Sequence, residues 1–83
     1  MADLMRATVV DDAVRAEVKS VFEYHPWDQE KIDKGRQVRA ALEEAFLVII
    51  ANVPPCPDRT VALRKLRDAR MDCNSAITHS GRY

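Results

Sequence analysis

Eighty-three residues, 47% of them hydrophobic and 31% charged, make one small domain near the lower limit at which a single apolar core sustains itself. Thirteen basic residues balance thirteen acidic ones, and this zero net charge argues against a duplex nucleic-acid binder, which normally carries a basic excess. The longest apolar run, Ala45 to Ala51, is too short to span a bilayer, so no membrane partner is expected.

Residues 1–7 read as a loosely held arm ahead of one helical domain over 8–78. Thr8 and Asp11 form a capping-box-like pair with Asp in place of the usual Glu or Gln. Val10, Val14, Val18, Val21 and Phe22 then share one face, which places a first helix at about 9–22. Valine is a poor helix former, so this helix needs a packing partner.

The segment Glu23-Tyr24-His25-Pro26-Trp27-Asp28 is the first break. Pro26 biases His25 to an extended conformation and ends the helix before it. Tyr24, His25 and Trp27 put three rings into four residues. Such a cluster either plugs the corner of a helix pair or offers a stacking platform to a planar ligand such as a nucleobase.

Asp28 is placed to cap a second and longest helix, at about 28–52. Ile32, Gly35, Val38, Leu42, Ala45, Phe46, Ile49 and Val53 share its face, and on a helical wheel Arg39 projects from the middle of them. A charge there is costly unless an acidic neighbour or an anionic ligand pairs with it. Further along, Ala40, Ala41, Leu47, Val48 and Ala51 make the helix apolar nearly all round, more than one chain of this size covers, so a homo-oligomer is expected.

A proline-rich turn, Asn52 to Pro57, reverses the chain into a third helix at about 58–78, antiparallel to the second, with Asp58 as the expected N-cap. Ala62, Leu66, Ala69, Cys73 and Ile77 form its apolar stripe, with Arg59 and Arg70 bordering it and Arg64, Arg67, Asp68 and Asp72 on the far side. Arg59 sits at a helix N-terminus, where free N–H groups and the dipole favour phosphate. Residues 79–83 read as a fraying tail. The expected fold class is therefore all-α: an antiparallel helical hairpin with an additional N-terminal helix.

Cys56 and Cys73 read as reduced cytosolic thiols, and with His25 and His79 they lack the paired spacing of a zinc site. No glycine-rich phosphate loop, nucleophile elbow or metal-binding helix motif is present, so neither an enzyme nor a cofactor is expected. What stands out is a set suited to an anionic ligand bearing aromatic rings: Tyr24, Arg39 and Arg59.

Four pieces in order, Phe22-Glu-Tyr24-His25-Pro26, Arg36-Gln-Val-Arg39, Pro55-Cys-Pro-Asp58-Arg59-Thr60 and Ala62 to Ile77, resemble the small anti-CBASS cyclic-oligonucleotide sponges of bacteriophages. That family shares a helical-hairpin domain with anti-Thoeris sponges. The resemblance implies a protein of the infected bacterial cytoplasm that sequesters host immune messengers without cleaving them, assembled as a homohexamer. It implies cyclic dinucleotides such as 3',3'-cyclic GMP-AMP bound between protomers, and in some members cyclic trinucleotides at separate sites. Residue by residue, it implies base stacking at Tyr24 of the Tyr24-His25-Pro26 segment, phosphate at Arg39, and the trinucleotide site at Arg59. Here the chain departs, with Cys56 where a serine is usual and Pro57 where an alanine is usual. The alternatives are a phosphodiesterase, which would need a metal or a positioned base, and a structural or protein-interaction oligomer with no nucleotide ligand.

Overall fold

The computed structural model describes residues 4–82, and the elements run η1 (Leu4–Arg6, a single 3-10 turn), α1 (Asp12–Phe22), α2 (Gln29–Asn52) and α3 (Pro57–Thr78). The architecture is all-α, with α2 and α3 packed as an antiparallel hairpin behind a short N-terminal helix. Met1–Asp3, the start of the expected arm, and Tyr83, the end of the expected tail, lie outside the described residues.

Capping chemistry sets each helix start. Asp11, rather than Thr8, caps α1: its Oδ1 accepts the Val14 N–H at 2.9 Å, so Val9 and Val10 stay outside the helix. Asp accepts in this position at least as well as Thr, and two consecutive valines do little to extend the helix backward. Asp28 caps α2 as its sequence position implies, accepting the Lys31 N–H at 2.9 Å. Asp58 does not cap α3. The cap is Cys56, in extended conformation and with no side-chain bond to the helix, Pro57 takes the first helical position, and Asp58 falls in the first turn. Proline's fixed φ and missing N–H suit that position, which moves the start one residue earlier.

The end of α3 is more ordered than a fraying tail. Gly81 N–H donates to the Ala76 carbonyl at 3.0 Å and Ser80 N–H to that of Ile77 at 3.2 Å, the paired bonds of a Schellman cap. The left-handed residue of this cap is Ser80, with φ of 53°, and glycine follows it with φ of 75°.

Trp27 holds the open end of the hairpin. Its indole Nε1 donates to Thr78 Oγ1 at 2.7 Å, tying the corner before α2 to the last turn of α3. A β-carbon built at Gly35 would run into the six-membered part of the Trp27 ring, so the absence of a side chain there is what lets the ring lie against α2. Gly35 is also the single buried residue among those described. Beside it, Lys31 Nζ reaches the Thr78 carbonyl at 3.0 Å, where a cation favours the negative end of the α3 dipole.

Little else is covered. No Cα of α1 comes within 8 Å of one in α2 or α3, and Phe22 is 84% exposed. The radius of gyration is 16.9 Å and the exposed surface 6708 Å². A compact chain of this length would have a radius near about 12 Å and expose about 5,000 Å².

Two substitutions test this description. Cys56→Ser supplies a cap oxygen where none now bonds, and should stabilise the protein by about 0.5–1 kcal/mol, read as a rise in melting temperature. Gly35→Ala should do the opposite. Overpacking against Trp27 costs about 1–3 kcal/mol and outweighs the gain in helix propensity of about 1 kcal/mol. Differential scanning calorimetry should show the melting temperature fall, and tryptophan fluorescence should shift as the indole loses its seat.

Candidate functional site

Tyr24 leaves α1 on extended backbone and is 88% exposed, although two of its neighbours are engaged. His25 Nε2 donates to the Ser20 carbonyl, which fixes the tautomer, because a carbonyl only accepts. The His25 ring also meets the His79 ring edge-on, with centroids 5.2 Å apart. Of the aromatic cluster, then, His25 and Trp27 plug the corner, and Tyr24 is the ring left facing outward. These residues, with Pro26, Ile32, Asn74, Ser75 and Thr78, line a cleft of about 650 Å³ at the open end of the hairpin.

A second cleft, of about 540 Å³, lies between α2 and α3. Leu42, Phe46, Leu47 and Leu66 give it an apolar floor, and Arg39, Arg67 and Arg70 give it a cationic rim. Arg39 is half-exposed rather than enclosed, and its nearest acid is Glu43, at 4.0 Å. Arg39 therefore borders the apolar face instead of penetrating it. Arg67 was expected on the far side of α3, and its place on this rim corrects that expectation: it stands beyond Arg70 and Leu63, on the flank that turns toward Arg39.

The two clefts follow one another on the same flank. Ile32, Arg39 and Phe46 recur every seven residues along α2, and Asn74 and Arg67 do so along α3 in the opposite direction. Seven residues make two turns and advance about 10 Å, so each set stays on one side of its helix. The flank thus runs from Tyr24 and Trp27, past Ile32 and Asn74, to Arg39 and Arg70. Within one chain Tyr24 and Arg39 line separate but successive clefts.

Arg59 does not join them. It lies eight residues, about 12 Å, beyond Arg67 along α3. It is half-buried, and its guanidinium donates to the Val53 carbonyl at 3.3 Å, bracing the turn that closes the hairpin. Cys56 and Cys73 are both free thiols near the two ends of α3, seventeen residues or about 25 Å apart, too far to pair within the chain. Among the described residues no three His, Cys, Asp or Glu side chains gather as metal ligands, and no helix is long and apolar enough to cross a membrane.

Arg70 lines the cleft from the border of the apolar stripe, where its spacing puts it, whereas Asn74 and Arg67 are lining residues that sequence reasoning did not single out. The available signal was their spacing: Arg67, Arg70, Asn74 and Thr78 fall three and four residues apart, a polar edge running beside the apolar stripe.

No protein-family model matches this chain, and neither a curated protein nor a solved structure matches it.

Proposed function

We propose that this protein binds and holds cyclic oligonucleotides, cyclic dinucleotides above all, in sites that a homo-oligomer completes. The observation that carries the reading is the shared flank, with an outward-facing tyrosine on the cleft at one end and three arginines beside an apolar floor on the next cleft. A base stacks on an aromatic face, a guanidinium forks to a phosphodiester, and the apolar floor accepts sugar or base edges. Guanidinium groups keep their protons at any working pH, so this rim attracts phosphate without activating a nucleophile. That favours sequestration over cleavage.

Self-association is part of the proposal. Surface in excess of a compact chain amounts to about 1,700 Å², the scale of a stable protein interface. The exposed Val9 and Val10 ahead of α1, Val18 and Phe22 of α1, and Leu47, Val48 and Ile50 of α2 supply the apolar faces. An assembly of the hexameric order implied by the sponge resemblance would bring Tyr24 of one copy toward the arginines of another. As an anti-defence protein it would work where the messengers are made, in the cytoplasm of the infected cell. Arg59, tied to the turn, belongs to the trinucleotide half of the proposal only by that resemblance.

Light scattering on the purified chain should give a mass of several protomers, and a clean 9.4 kDa monomer at micromolar concentration would remove the shared site. A multi-protomer mass with no cyclic nucleotide bound would instead favour the structural oligomer, which the same exposed apolar faces support.

Titration calorimetry with 3',3'-cyclic GMP-AMP tests the ligand, and mass spectrometry of the heat-released molecule should return it intact. Stacking on an aromatic contributes about 1–3 kcal/mol per base, so Tyr24→Ala should weaken binding roughly tenfold to a hundredfold. Arg39→Ala should also weaken it while leaving the melting temperature nearly unchanged, since its one ion pair is long and exposed. A large fall in melting temperature with unaltered binding would make Arg39 a structural residue.

A further inference from the structure

The rim of the central cleft carries more positive charge than the Tyr24–Arg39 pairing uses. Arg39 from α2 and Arg67 and Arg70 from α3 line one cleft together with Phe46 and Leu66. Against these three guanidiniums the cleft offers one acid, Glu43, at the outer limit of pairing with Arg39. Neither Arg67 nor Arg70 has a hydrogen bond or ion pair among the described residues. Both are exposed, so they keep water around them and need no internal partner. Yet three cations converging on one groove repel each other, an arrangement that an anion relieves.

The chemistry of the groove narrows the choice of anion. A carboxylate and a phosphodiester each bring one charge and two oxygens to a guanidinium fork, so the floor is what separates them. Leucine and phenylalanine beneath the rim favour a ligand with an apolar or planar body beside its charge.

We infer that Arg67 and Arg70 form, with Arg39, a three-arginine phosphate cleft between α2 and α3. In it Arg67 and Arg70 take a second phosphate of the ligand whose base Tyr24 holds. The cleft rests on the rim and floor just described, and its assignment to the same ligand rests on the cyclic-oligonucleotide reading above. The division of labour follows from position. Tyr24 sets which planar group is accepted at the end of the flank, and the arginines set how many phosphates the ligand must carry. A mononucleotide satisfies one arm of this arrangement, whereas a cyclic dinucleotide, with two phosphodiesters, satisfies both.

Two titrations of the 83-residue chain separate the cleft from the reading it extends. The first follows inorganic pyrophosphate by nuclear magnetic resonance, watching backbone amides and arginine Nε–H groups. Shifts should concentrate at Arg39, Arg67 and Arg70, and fade as salt screens the charges. Combined Arg67→Gln and Arg70→Gln substitution should weaken pyrophosphate binding about tenfold per arginine, with an unchanged melting temperature and oligomer mass showing the fold is intact. Tyr24→Ala should leave this titration as it was. Shifts absent from the three arginines, or centred on the lysines of α2, would overturn the cleft.

The second titration uses 3',3'-cyclic GMP-AMP. The arginine pair variant should lose affinity and a good part of its salt dependence, whereas unchanged affinity in that variant would overturn the assignment to the same ligand. Should the wild-type chain bind no cyclic dinucleotide while pyrophosphate still shifts the three arginines, the cyclic-oligonucleotide reading falls. The anion cleft then stands alone.

Discussion

Trp27 occupies space that any residue but glycine at position 35 would need, and this one contact governs the end of the molecule where the site begins. The indole spans two helices: its ring rests against α2 and its N–H reaches the last turn of α3. With Lys31 it fastens the open end of a hairpin whose other end is closed by a proline turn and by Arg59. Tyr24 stands outward because its neighbours are spoken for. His25 is held by Ser20 and His79, and Trp27 by Thr78, so the chain is pinned just after the tyrosine, while the Glu23 N–H bonded to the Lys19 carbonyl closes α1 just before it. An aromatic so presented loses little freedom on stacking, since the backbone beneath it is already fixed.

The hairpin gains little from burial. Two helices in contact along one face leave the remaining faces to water, and α2 carries apolar residues on several of them. Helix propensity, caps and a strip of side chains between α2 and α3 hold the single chain, and α1 adds Val18 and Phe22 to the exposed side. A chain this small and this open is marginal unless something covers it. If copies cover one another, stability and ligand capacity become linked, because the surfaces that need covering border the surfaces that would bind. The protein would then be least complete as a monomer in both respects.

Much of the fold was legible from periodicity alone. The three- and four-residue spacing of Leu42, Phe46 and Ile49, answered by Leu66, Cys73 and Ile77, defines two faces that meet, and Pro54 to Pro57 can only turn the chain between them. Asp28 reads as a cap because nothing competes with it. The other two starts were less legible for local reasons. Asp11 outcompetes Thr8 for the same role, and Pro57 fits the first turn so well that it displaces Asp58 from the cap. The C-terminal cap was hidden because a serine rather than a glycine takes the left-handed position.

Of the candidate site, the residue types were legible in the sequence and the clefts they line were not. Tyr24 and Arg39 stand out in the sequence because an aromatic beside a proline and a charge among aliphatics are each unusual. Arg67 does not stand out, since a surface arginine on a helix is ordinary until a second helix is laid beside it. The heptad relation of Ile32 to Arg39 and of Asn74 to Arg67 acquires meaning only when α2 and α3 run antiparallel, because then both series advance along the same flank from the aromatic end toward the arginines. Pairing brings together charges that the sequence keeps almost thirty residues apart. The same pairing explains why net neutrality does not speak against an anionic ligand. Charge balance over the whole chain is compatible with a local excess, and at the short range where a phosphate is bound the local excess is what acts.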